Sequence, residues 1–118
     1  HEKCKHTLLQ LEGYGIESGI YLDEIYYIQA HSNYYEICLL DEKKVVTSTL
    51  KEFEQSYPDF PFVRIHHSYI VNMDKIKSFH SIIVLSEKNI QLPVGRKYRR
   101  DAKEKYRNYL LERMKQRL

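Results

Sequence analysis

The stretch Phe62-Val63-Arg64-Ile65-His66-His67-Ser68-Tyr69-Ile70-Val71-Asn72 decides the fold class. Its aromatic and β-branched residues read as extended chain, a strand over residues 62–71. Period-two alternation then puts Arg64, His66 and Ser68 on one side and Ile65, His67 and Tyr69 on the other. A strand with so many polar residues costs free energy unless they are paired or wet. The stretch is therefore either a satisfied hydrogen-bond cluster or a surface made for a polar partner.

Working outward, the neighbouring segments are also short and apolar. Residues 7–11, 19–22, 25–29, 34–40 and 44–48 before it, and 75–80, 82–86 and 90–94 after it, read as strands. Gly13 and Gly15, His31-Ser32-Asn33, Asp41-Glu42, Asn72-Met73-Asp74 and Glu87-Lys88-Asn89 separate them as turns. Little helix lies between the strands, so antiparallel meanders are expected rather than βαβ units.

Two segments break this rhythm. In residues 49–57, Leu50, Phe53 and Tyr57 share a helical face, Thr49 and Glu52 form a capping-box pattern, and Pro58 and Pro61 end the helix. In residues 99–118, Ala102, Tyr106, Leu110, Met114 and Leu118 recur at steps of four, with Tyr109 and Leu111 widening the stripe. The simplest use of that stripe is core packing. The expected fold is mostly β, an elongated stack of antiparallel sheets, with one short helix and a C-terminal helix. It forms a single domain over residues 1–118, the β-rich part about 7–97 and the terminal helix about 99–118.

The 118 residues suit one core, and 42% hydrophobic content excludes a disordered tail. Apolar runs are too short to span a bilayer, and the polar start His1-Glu2-Lys3-Cys4-Lys5-His6 leads into no apolar secretory region. The net charge of +3 is mild only in total. Residues 1–95 carry 9 Lys/Arg against 13 Asp/Glu, a net of −4, whereas residues 96–118 carry 10 against 3, a net of +7. Such asymmetry suits a polyanion partner, or else a solvated basic helix. Two cysteines, Cys4 and Cys38, make no disulfide scaffold, so a reducing cytoplasm is the default location. Cys38, in an apolar run, is expected to be a buried small hydrophobe.

Catalysis has no support in the motifs. Adjacent His66 and His67 on a strand would point to opposite faces, no metal-ligand spacing exists, and Ser68 lacks a nucleophile elbow. No catalytic residue, metal or cofactor is expected. Polar recognition fares better. His31-Ser32-Asn33-Tyr34 is a polar loop between apolar strands, and equally an ordinary turn. Val94-Gly95-Arg96-Lys97-Tyr98-Arg99-Arg100 places four cations at a strand-to-helix junction, where Arg96 could fork onto guanine while its neighbours hold phosphates. A helix-turn-helix is excluded because a long strand-rich stretch separates the two helical segments. If DNA is the partner, strands and loops do the reading. The competing readings are a β-rich protein- or membrane-interaction module using the basic C-terminal helix, and a single-strand or RNA binder that stacks bases on tyrosines.

In their order along the chain, these segments resemble LytTR-type DNA-binding domains over roughly residues 7–100. Residues 62–72 carry a Phe-x-Arg-x-His-x-Ser signature. Leu22-Asp23-Glu24-Ile25-Tyr26-Tyr27-Ile28-Gln29-Ala30 is similar to the family's early strand, and Asn33-Tyr34-Tyr35 to its loop. Thr49-Leu50-Lys51-Glu52-Phe53 matches its short helix, and Leu92-Pro93-Val94-Gly95-Arg96-Lys97-Tyr98 its closing strand and basic turn. The resemblance implies the effector part of a bacterial response regulator in a two-component system. Its partner would be double-stranded DNA at promoter repeats, with loops in successive major grooves and a second copy on adjacent DNA. It also implies base contacts by Asn33 or Tyr34, His67 and Arg96, and phosphate contacts by Ser32, Lys51, Arg64, Ser68, Lys97 and Arg99. Position 67 is often Arg or Asn in the family and position 95 often Ser, and the terminal helix is longer than the family requires. Nothing reads as a parallel α/β receiver unit, so an N-terminal receiver domain is expected in a longer protein. No membrane role is implied.

Overall fold

The computed structural model describes residues 20–116. The predicted strand over 7–11, Cys4 and Leu118 lie outside the described residues. Among the described residues, eight strands form two antiparallel sheets. The first contains β1 (Tyr27–Ala30), β2 (Tyr35–Cys38), β3 (Lys43–Val46), β4 (Phe62–His66) and β5 (Tyr69–Asn72), in the order β3-β2-β1-β5-β4. The second contains β6 (Ile76–Phe79), β7 (Ile82–Leu85) and β8 (Gln91–Pro93), in that order. The short helix α1 spans Leu50–Ser56 and the terminal helix α2 spans Arg99–Gln116. The described residues extend over 41 × 33 × 27 Å. The mostly β, stacked-sheet expectation with two helices is met.

The five-stranded sheet carries core on both faces of its inner strands, which is why β1, β2 and β5 look apolar, whereas its edge strand β3 is exposed from Lys43 to Val45. One face sets Ile28, Ile37, Val46 and Ile70 against Leu50 and Phe53 of α1 and against Ile20, Leu22 and Ile25. The other sets Tyr27, Cys38, Val63, Ile65 and Val71 against Ile83, Leu85 and Leu92 of the second sheet and Ala102 of α2. Cys38 is a free, buried thiol, and burial raises its pKa, so it is the inert hydrophobe expected. Phe53 anchors the α1 side, its ring 5.1 Å from Tyr57 and Phe62 and 5.9 Å from Tyr35.

Local chemistry sets the element ends. The Glu52 backbone N–H donates to the Thr49 hydroxyl at 3.2 Å, and that hydroxyl meets the Glu52 carboxylate at 3.3 Å, so the predicted cap is formed. Buried Asn72 donates to the Ile25 carbonyl at 2.8 Å and accepts from the Asp74 N–H at 3.0 Å, closing the turn after β5. Pro93 ends β8 at the sheet edge, where a missing N–H costs no ladder bond.

Four expectations need correction. Residues 62–71 are not one strand but a hairpin, β4 and β5, turning at His67-Ser68. The ladder slips between Arg64 and His66, so strict alternation fails where it was used to separate the histidines. The His66 and His67 rings lie 4.4 Å apart instead of on opposite faces. The segment predicted as a strand over 19–22 leads instead into a 3₁₀ turn, Leu22–Glu24, held by the Tyr21 N–H donating to the Glu24 carboxylate at 2.9 Å. The apolar stripe of α2 packs only in part. Ala102 is fully buried and Tyr106 and Tyr109 pack on the core, but Leu110, Leu111 and Met114 are exposed. An 18-residue helix is about 27 Å long, whereas four- or five-residue strands reach about 13–17 Å, so the helix outruns the surface that could cover it.

Candidate nucleic-acid interface

Strand register gathers the polar segments at one end of the five-stranded sheet. Ala30 pairs with Tyr35 and Gln29 with Tyr69, so the β1–β2 loop (residues 31–34) and the β4–β5 turn share that end. The Ala30 N–H donates to the Ser68 carbonyl at 2.8 Å, tying loop to turn. On the other side, the Gly95 N–H donates to the Ile65 carbonyl at 2.7 Å, which docks the basic turn beside the hairpin. Tyr35 also pairs with Val46, so the end of β3, and with it the start of α1 carrying Lys51, lies at the same end. The result is a row, residues 95–97 next to the 67–68 turn and then 31–34, with α1 crossing from the β3 edge toward β4, where its Glu54 reaches Arg64.

Each member of the row is held from beneath. In the loop, the His31 N–H donates to the Tyr34 carbonyl at 2.8 Å, the two rings stack at 4.6 Å, and His31 Nε2 meets the Glu36 carboxylate at 2.8 Å. This leaves Ser32 and Asn33 exposed at the tip, with Tyr34 half-buried behind them. In the hairpin, Arg64 donates from Nε to the His66 carbonyl at 2.8 Å and from Nη2 to the His67 carbonyl at 2.7 Å. Its Nη1 reaches Glu54 of α1 at 2.8 Å, and its guanidinium lies 5.6 Å from the Tyr98 ring centroid. The Ser68 N–H donates to His66 Nδ1 at 3.1 Å, so His66 is held as an acceptor at that nitrogen. Burial, followed by the nearby His67 and Arg64, lowers the His66 pKa. His67 itself is exposed at the tip.

The basic turn has a different character. Arg96, Lys97, Arg99 and Arg100 are all exposed, and among the described residues none of them forms an ion pair. Acidic groups gather at the far end of the sheet, where Asp23, Glu24, Asp41 and Glu42 line a shallow depression with Leu39, Leu40 and Lys75. Among the described residues no cluster of three or more His, Cys, Asp or Glu side chains is placed to hold a metal ion, and no helix is long and apolar enough to cross a membrane.

The structure thus brings Ser32, Asn33, Tyr34, His67, Ser68, Arg96 and Lys97 to one end, with Arg99 following the basic turn and Lys51 on α1, whose Glu54 reaches Arg64. It places Arg64 below that surface as a clamp. Sequence reasoning named Arg100 with the basic turn but did not single out Lys103 and Arg107, which continue its exposed face of α2 at a readable i, i+3, i+7 spacing.

The family model for the LytTr DNA-binding domain matches residues 19–107. The chain is 30% identical over 95 residues to "Sensory transduction protein LytT" of Bacillus subtilis, covering 75% of this chain and 39% of that protein. It is 29% identical over 97 residues to the protein of the same name from Enterococcus faecalis, covering 75% and 40%. It is 28% identical over 81 residues to "Transcriptional regulatory protein YpdB" of Escherichia coli, covering 64% and 33%. The chain therefore spans about two-fifths or less of the length of these relatives. A solved LytTr DNA-binding domain of a response regulator from Bacillus cereus superposes with a TM-score of 0.68 at 23% identity, covering 84% of this chain and 95% of that one, which shows the shared fold. The chain belongs to the LytTr DNA-binding domain family.

Proposed function

We propose that this chain is the sequence-specific, double-stranded DNA-binding part of a longer transcription regulator, inserting loops into successive major grooves at promoter repeats. The observation that carries this reading is the single row of exposed loop residues at one end of the sheet, anchored by backbone hydrogen bonds from Ala30 and Gly95. A rigid row of loops can follow a duplex, whereas a lone recognition helix is missing from that end. In this reading Asn33, Tyr34, His67 and Arg96 meet base edges, Arg96 as the bidentate partner best matched to guanine. Ser32, Lys51, Ser68, Lys97 and Arg99 hold phosphates. Arg64, assigned to phosphate by resemblance, contributes chiefly through the turn it clamps, because its three hydrogen bonds use donors that a phosphate would need.

The names of the relatives, sensory transduction and transcriptional regulation, support placement in a cytoplasmic two-component pathway with a receiver domain N-terminal to this one. A second copy on an adjacent repeat fits the same scheme. No catalytic step is part of the function. A second reading, docking of α2 on another protein or a membrane, is favoured by the exposed Leu110, Leu111 and Met114.

Selection of a preferred sequence from random duplex DNA, followed by a gel shift with competitor, separates the two. Recovery of a repeated element is expected. Failure to enrich any sequence refutes the DNA reading and leaves the docking one.

A further inference from the structure

The face of α2 opposite its packed side carries Arg100, Lys103 and Arg107, at i, i+3 and i+7. Ala102, Tyr106 and Tyr109 turn inward, so these three cations turn out, and with Glu104 and Asn108 they line an open surface groove. Like charges crowded on one ridge repel, and the chain elsewhere relieves such repulsion by pairing. Farther along the same helix, Arg113 lies 3.6 Å from Asp74 and Lys115 lies 3.8 Å from Glu112. Arg100, Lys103 and Arg107 have no such ion pair among the described residues, although Glu104 shares their groove.

Position adds the second half of the case. The row at the reading end runs from the 31–34 loop through the 67–68 turn to residues 95–97, and α2 begins two residues after Lys97. α2 leaves the reading end at Arg99 and runs toward the far end, where Arg113 meets Asp74, so a duplex that continues past Arg96 and bends toward α2 meets its first two turns. The ridge from Arg100 to Arg107 rises about 10 Å along the helix, enough to face several phosphates on a polymer with one charge per about 1.7 Å of axis.

We infer that Arg100, Lys103 and Arg107 form a second phosphate-binding ridge that holds the DNA flanking the recognition element on the Arg96 side. The inference rests on the DNA-binding reading and goes beyond it by adding a surface outside the base-reading loops. The ridge contributes affinity and salt dependence but no base preference, because it meets only backbone.

The test uses the triple variant Arg100→Gln, Lys103→Gln and Arg107→Gln, since glutamine is a good helix former. Binding is measured over a range of salt on two duplexes, one trimmed to the selected element and one extended by about one helical turn, roughly 10 bp, at each side. The expected result on the extended duplex is a salt slope lower by about two to three units and at least roughly tenfold weaker binding at low salt. On the trimmed duplex the variant should match the parent. A variant keeping the charges, Arg100→Lys with Arg107→Lys, should retain the parent's slope, which separates a charge role from a structural one. An unchanged slope on the extended duplex overturns the ridge while leaving the base-reading loops intact, and is the result expected of a ridge reserved for an acidic protein. An equal loss on both duplexes overturns the assignment to flanking DNA. A parent that binds neither duplex removes the DNA reading itself, and the ridge with it.

Discussion

Arg64 and Arg96 belong to adjoining segments, tied by the hydrogen bond from Gly95 to Ile65, yet the chain uses them in opposite ways. Arg64 spends its guanidinium on two carbonyls of the turn and on Glu54. Arg96 is exposed and forms no ion pair among the described residues. The same side chain is a structural clamp in one place and a free cation in the next. What decides between the roles is whether the fold itself satisfies the donors, which residue type and spacing do not reveal.

The largest expected effect is on the clamp. Arg64→Ala should lower folding stability by about 2 kcal/mol, because charge-assisted bonds to the turn are lost at a partly exposed site. Arg64→Lys should rescue little, since an ammonium cannot fork onto two carbonyls. Denaturant unfolding of both variants measures this. A loss under about 0.5 kcal/mol would dissolve the contrast between the two arginines.

Next comes the free cation. Arg96→Ala should leave stability within about 0.5 kcal/mol of the parent while weakening the selected site by about 1–3 kcal/mol and relaxing one base position. Lys97→Ala should weaken all sequences alike and lower the salt slope by about one unit. Equal losses on selected and random DNA for Arg96→Ala would demote it to a phosphate contact. A stability loss matching that of Arg64→Ala would make both arginines structural.

His66 offers a subtler probe of the clamped side. Its pKa in the folded protein is lowered, by burial first and then by His67 and Arg64, so the folded state resists protonation more than the unfolded chain does. The stability this contributes is fully present above the unfolded value of 6.5 and is lost as pH falls through the lowered folded value. His66→Asn keeps an acceptor for the Ser68 N–H without a titrating ring, so its stability should fall less between pH 7.5 and 5.5 than the parent's. Identical pH profiles would remove His66 from the acid-sensitive groups.

The α1 cap was readable because Thr49 and Glu52 act within one helical turn, and the apolar strands were readable because burial on both faces writes itself into composition. The hairpin was not. His67-Ser68 carries no Gly or Asn-Gly signal, and the bonds that enforce the turn come from Arg64, Ala30 and Gly95, which sequence proximity alone does not connect. The stripe of α2 misled for a related reason. Periodicity reports a face, but the amount of surface available to cover that face is a tertiary quantity, and it ends before Leu110. The 31–34 loop and the basic turn were readable from residue type, the roles of their residues came from resemblance and their gathering from register, whereas the division between Arg64 and Arg96 needed coordinates.

The smallest effect is expected at the seam between the two regions. A Cβ on Gly95 would sit 3.2 Å from Tyr98 Cδ2, 3.4 Å from His66 Cδ2 and 3.5 Å from His66 Cα. The two closest atoms are ring edges of half-buried side chains, so they need give way by only a few tenths of an ångström. Losing a glycine also removes freedom from the unfolded chain, which favours folding by about 0.4–1 kcal/mol. The terms oppose, and Gly95→Ala should stay within about 1 kcal/mol of the parent in stability. Its binding should fall less than tenfold, since the Tyr98 shift displaces Arg96 and Lys97 only slightly. Gly95→Ser adds the same Cβ with a hydroxyl that can donate to a phosphate, so it should bind at least as well as Gly95→Ala. A Gly95→Ala variant that folds normally but binds as poorly as Arg96→Ala would show that placing the free cations matters as much as having them. The clamp and the basic turn would then be one device rather than two.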